Sequence, residues 1–254
     1  MASAAARDAK IDIGRVITGG FQAIGRRLPA YLLLAVLLGG VPAFLSQYAL
    51  LSTDGVDDGP ALWFLSAGGL AGMVIAMIAS ALLQAAVVRC AIRDLGGRSC
   101  DVAESFVAAL KLVLPLIGLT ILSGLIVGLG LLLLIVPGII FYVSLIVAVP
   151  VLVEERCGVI DSMKRSADLT SGSRWRIFGL IILYILAYGF LASAVGAAAL
   201  AMGALEDLLS LALLEAVAGT LSALLIAGML AALYVELRTV KEGASVESLA
   251  SVFD

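Results

Sequence analysis

The chain has 254 residues, 62% of them hydrophobic and 14% charged, with a mean hydropathy of +1.15. Ordinary soluble domains hold about 45–50% apolar and about 25% charged residues, so water is excluded as the only solvent and the chain reads as an integral membrane protein. A net charge of −3 gives no overall basic character for nucleic acid, and the absence of histidine removes the commonest general acid–base and the commonest metal ligand.

Residues 1–10 form a small, Ala-rich tail without structural signal. From Asp12, Ile13, Val16 or Ile17, Phe21, Ile24 and Leu28 recur at three- and four-residue steps opposite Arg15, Gln22 and Arg26, which predicts an amphipathic helix. It does not read as a cleaved leader, because charges persist to Arg27 and no small-residue cleavage site closes the apolar run. Residues 31–51 are the first predicted span, with a kink expected near Pro42. The turn 52–60 holds three aspartates and no cation; 63–88 is the second span, with Trp63 at an interface and Gly68, Gly69 and Gly72 offered for close helix packing.

Asp101 to Lys111 repeats the opening pattern, with Val102, Phe106, Ala109 and Val113 on one face. The apolar run 112–153 is 42 residues, too long for one crossing, and Pro137-Gly138 is the expected turn, giving spans 112–136 and 139–153. A third amphipathic stretch covers 154–176, with Val159 or Ile160, Met163 and Ala167 as its apolar stripe. Spans 175–202 and 208–235 follow, separated by Glu206 and Asp207, and a polar tail ends the chain.

Every one of the 16 Lys and Arg falls in alternate loops: before the first span, at 89–111, at 154–176 and after the sixth span. The positive-inside rule makes that side cytoplasmic, with both termini there, in a bacterial inner membrane. Cys90, Cys100 and Cys157 lie near the same face, are odd in number and lack CxxC spacing, so all three are expected as free thiols with no metal and no cofactor. The expected fold is all-α: six transmembrane helices in three hairpins, each preceded by a cytoplasmic amphipathic helix. The chain reads as one domain, 1–254, with pseudo-repeats 11–88, 101–153 and 159–235.

Pro137, Gly138, Pro150, Glu154, Arg165, Ser166, Leu169, Thr170 and Gly172 occur in an order that resembles a motif of uncharacterised bacterial inner-membrane proteins. Those proteins are related to the membrane domain of glycerophosphoryl diester phosphodiesterases. The resemblance implies a membrane module and not phosphodiester hydrolysis, since no soluble segment exceeds about 25 residues and a barrel enzyme needs about 250.

Glu154, Glu155, Lys164, Arg165, Arg174 and Arg176 form a dense ionic cluster at the basic boundary. Arg presents a planar fork to phosphate, so these residues are the candidate site for a lipid headgroup or a protein partner; the competing expectation is topology signalling with local ion pairs. Ser166 has no readable base partner, and no catalytic constellation is found. Glu215, about two turns inside the last span, is a candidate ion or proton site unless it reaches the outer interface, because an intramembrane carboxylate costs about 2.5–3.5 kcal/mol unless paired, protonated or wet. Gln47 and Gln84 are expected as interhelical hydrogen-bond glue. The leading expectation is a non-enzymatic module in the phospholipid bilayer that binds lipid or a partner protein, or self-associates, and organises or moves phospholipid. The alternative is a small-solute or ion transporter or channel using Glu215.

Overall fold

The computed structural model describes residues 11–45, 67–98, 100–201 and 208–243. Gln47, Trp63, Glu206 and Asp207 lie outside the described residues, as does the side chain of Glu215. The described chain is all-α: α1 (Ile13–Gly25), α2 (Leu28–Ala35, running on through a π-helical segment), α3 (Ala67–Leu95), α4 (Val102–Leu110), α5 (Val113–Leu133), α6 (Ile135–Leu145), α7 (Ala148–Glu155), α8 (Val159–Thr170), α9 (Arg174–Ala201) and α10 (Leu208–Glu242). Six helical stretches are long and apolar enough to cross a membrane: Leu28–Leu45, Gly72–Leu95, Val113–Leu133, Ile135–Glu155, Arg174–Ala201 and Ala212–Glu242. The protein is a polytopic membrane protein. Half or more of the most apolar windows of α3 and α10 is buried, against 11% for α9. The first two therefore form the centre and α9 the rim.

Local chemistry sets the boundaries. Asp12 and Asp101 cap α1 and α4, their side chains accepting from Gly14 and Arg15 N–H and from Ala103 N–H. Such caps satisfy donors that the first helical turn leaves free. Helix breaks at 26–27, 111–112 and 146–147 each fall within the turn preceding a proline, Pro29, Pro115 and Pro150. A proline has no N–H to give and its ring crowds the carbonyl four residues back, so the chain leaves the helix there and restarts with the proline in the first turn. Pro42 acts differently: the turn before it widens into a π-segment, Val36–Gly40, and Val41 N–H bonds Val36 O. The expected kink is thus a π-bulge.

The hairpin between α5 and α6 turns at Leu134, which is extended, three residues before the Pro137-Gly138 turn expected from sequence. Pro137 sits in the first turn of α6, where its missing N–H does no harm. Gly138 is helical and serves packing: a Cβ there would come within 2.6 Å of Leu131 N, and one on Gly130 within 2.9 Å of Gly138 Cα. Backbone contact of this kind also docks α1 on α10. A Cβ on Gly20 would meet Met229 N at 3.2 Å, and one on Gly228 would meet Ile24 Cδ1 at 2.7 Å. The expected packing surface at Gly72 is not one, since a Cβ there meets nothing within 4 Å; the side-chain positions of Gly68 and Gly69 lie outside the described residues.

Two buried clusters fill the interior. The larger joins α1, α2, α3, α6, α7, α8, α9 and α10 around Tyr31, Leu83, Val151, Leu233 and Tyr234; the smaller joins α3, α4, α5, α7 and α8 around Leu82, Leu116, Leu119 and Leu152. Cys90 and Cys100 form a disulfide, with Cα atoms 5.4 Å apart, that ties the end of α3 to the entry of α4. This corrects the expectation of three free thiols: the turn at Gly97, with φ of +73°, folds Cys100 back onto α3, and Cys157 alone is free.

Candidate functional site

Charged side chains from seven helices and the adjoining chain ends meet at one end of the bundle. Arg15 Nη2 lies 2.8 Å from Glu236 Oε1, which also accepts from Asp12 N–H at 3.2 Å, and Arg176 Nη1 donates to Ile11 O at 2.6 Å. Arg27 Nε reaches Asp94 Oδ2 at 3.2 Å, Arg26 Nη1 donates to Asp94 O at 2.7 Å, and Arg93 pairs with Glu104 at 3.5 Å. On the other flank Arg165 bridges Glu155, at 3.3 Å, and Glu242, which also takes Arg238 Nε at 3.0 Å. Tyr234 OH donates to Glu155 Oε1 at 3.0 Å.

The six sequence-nominated residues are therefore not joined in one contact network among the described residues. Glu155 and Arg165 are joined to each other and to α10; Arg176 is spent in part on the Ile11 carbonyl; Glu154 acts electrostatically on Arg89. Lys164 and Arg174 are exposed and have no ion pair among the described residues. The backbone of Glu215 lies within α10, and its side chain is outside the described residues.

Arg174 stands at the mouth of a groove of 390 Å³ between α6 and α9, lined by Val136, Ile139, Ile140, Val143, Trp175 and Phe178. Trp175 is 86% exposed and meets Phe178 edge to face at 6.1 Å. A free guanidinium, an interfacial indole and an apolar channel side by side match the succession of phosphate, glycerol layer and acyl chain in a phospholipid. No family model matches this sequence, and neither does any curated protein or solved structure.

The α6–α9 approach depends on α8. The break before Pro150 leaves the Ser144 carbonyl without its helical donor, and Ser166 Oγ at 2.7 Å and Thr170 Oγ1 at 3.4 Å donate to it. The buried side of α8 is Ser162, Met163, Ser166, Leu169 and Thr170, while Ile160 is 60% exposed. This rotates the face expected from Val159 or Ile160, Met163 and Ala167, because hydrogen bonding outweighs hydrophobicity at this contact. The signal was Ser, Ser and Thr at four-residue steps. Sequence reasoning also missed Arg89, 4% exposed, whose Nη1 donates to Val153 O at the end of α7 at 3.5 Å. Arg89, Cys90, Ala91, Ile92 and Asp94, all past the predicted second span, are buried because α3 continues to Leu95. Gln84, expected to bond a neighbouring helix, has no hydrogen-bond partner among the described residues.

Proposed function

We propose that the protein is a non-enzymatic membrane module that seats an anionic phospholipid in the groove between α6 and α9, phosphate on Arg174 and one chain along Ile139, Ile140 and Phe178. The observation that carries this reading is the contrast between Arg165, held by two carboxylates, and Arg174, exposed above an apolar channel. A cation near an anionic leaflet contributes about 1 kcal/mol. The resemblance to bacterial inner-membrane proteins agrees with a membrane module, and the gathering of cations at one end agrees with that end being cytoplasmic. The cytosol is reducing, and the Cys90–Cys100 disulfide stands at this end; both residues are buried, which shields the bond from soluble thiols. Amphipathic α1 keeps Phe21 exposed beside its docked face, and Leu28 is exposed at the start of α2, so both contribute to the lipid-facing surface of the same layer.

Thermal-shift titration of the detergent-purified protein tests the seat. Phosphatidylglycerol should stabilise the wild type at about fivefold lower concentration than it stabilises Arg174→Gln. Phosphatidylcholine should not distinguish the two. Equal titration curves for phosphatidylglycerol would remove the proposal.

A further inference from the structure

A second, larger opening lies deeper. A cleft of 570 Å³ runs among α3, α5, α6, α9 and α10, and Gln84, Thr120, Ser123, Tyr142 and Tyr184 give its polar atoms. Gln84 is five residues before Arg89, the first charged residue toward the ionic end, about 7.5 Å at 1.5 Å per residue, which puts it inside the hydrocarbon layer and not at its charged edge. Leu131, Leu145, Ile181 and Leu230 are among its apolar walls, and no Asp, Glu, Lys or Arg lines it.

At that depth a carboxamide has no bulk water to satisfy it. Gln84 presents two N–H donors and a carbonyl acceptor, none of them used by the described residues. The hydroxyls of Thr120 and Ser123 already donate to Leu116 O at 2.8 Å and Leu119 O at 2.6 Å, so they are left as acceptors. Facing the cleft are therefore the free amide of Gln84, the phenol hydroxyls of Tyr142 and Tyr184, the lone pairs of Thr120 and Ser123, and hydrocarbon, with no charge to match a phosphate or an ion. We infer that this cleft binds an uncharged lipid of the diacylglycerol type, its hydroxyl or ester carbonyl hydrogen-bonded to Gln84 and an acyl chain against the α5 and α10 walls. Its volume is that of a small-molecule site. Room on the α5 side comes from Gly124 and Gly128, where a Cβ would meet nothing within 4 Å.

That glycine wall supplies a variant that fills the site without disturbing the bundle. Native mass spectrometry is run on the full chain with dioleoylglycerol or dioleoylphosphatidylglycerol, for the wild type, Gln84→Leu and Gly128→Leu. The wild type should retain dioleoylglycerol; Gln84→Leu should weaken it about tenfold, the loss of one or two neutral hydrogen bonds; Gly128→Leu should abolish it. Neither change touches Arg174, so phosphatidylglycerol retention should persist in both, which separates failure here from failure of the α6–α9 seat. Unchanged dioleoylglycerol binding in Gly128→Leu would overturn the site. Loss in Gly128→Leu with no effect in Gln84→Leu would overturn the assigned headgroup chemistry and leave a slot for any acyl chain. A wild type that retains no dioleoylglycerol would overturn the inference outright.

Discussion

Arg165 and Arg174 are nine residues apart in the same basic loop, yet their surroundings are opposite. Arg165 is held between Glu155 and Glu242, and removing it leaves the partly buried Glu155 without an ion pair among the described residues, while Glu242 keeps Arg238. Arg165→Gln should therefore lower stability by about 1–2 kcal/mol, the discount from a fully buried pair reflecting its partial exposure, read as a fall in the thermal midpoint in detergent. Arg174→Gln should leave that midpoint unchanged in the absence of added lipid. Ser166 is buried and donates to the Ser144 carbonyl, so Ser166→Ala should lose about 1 kcal/mol by the same measurement, with Thr170 retaining a weaker bond to that oxygen. The presence of cations in this loop was legible in the sequence; which of them find carboxylates was not. That outcome depends on α10 continuing as helix to Glu242, past the boundary that hydropathy gives at Val235.

Among the elements, the amphipathic pattern of α1 came through the sequence clearly, but its apolar partner did not. Periodicity records that one side avoids water and is silent about whether lipid or protein covers it. The decisive residues are glycines: Gly20 and Gly228 let two helix backbones touch, and a glycine contributes almost nothing to a hydrophobic pattern. Gly228→Leu should force its side chain into Ile24 and cost about 3 kcal/mol. Limited proteolysis should then cut near Arg26 and Arg27 at protease concentrations that leave the wild type intact. Gly72→Leu, at a glycine facing open space, should change nothing in the same assay. The helix breaks were half legible in the same way. Proline positions mark where a helix restarts, but at Pro42 the chain widens into a π-segment and at Pro137 it turns three residues early at Leu134. The deciding contacts there are Gly40 against Thr220 and Gly138 against Leu131, made between residues distant or newly adjacent in space.

Over the whole molecule, composition alone identified the solvent, and six apolar helices agree with it. The ionic end of the bundle gathers Ile11, near the start of the described chain, and Glu242, near its finish. Cys157, half-buried at that end, is the single free thiol among the described residues. An impermeant maleimide should leave it unmodified in intact cells and modify it in inverted vesicles; the reverse pattern would turn the protein over in the membrane. The account rests most heavily on the claim that Arg165 is neutralised internally while Arg174, the exposed cation beside the apolar α6–α9 groove, is open to lipid. Native mass spectrometry of the wild type, Arg165→Gln and Arg174→Gln in mixed phosphatidylglycerol and phosphatidylcholine tests it directly. Retained phosphatidylglycerol should survive Arg165→Gln and disappear with Arg174→Gln. Loss with Arg165→Gln and retention with Arg174→Gln would contradict the account.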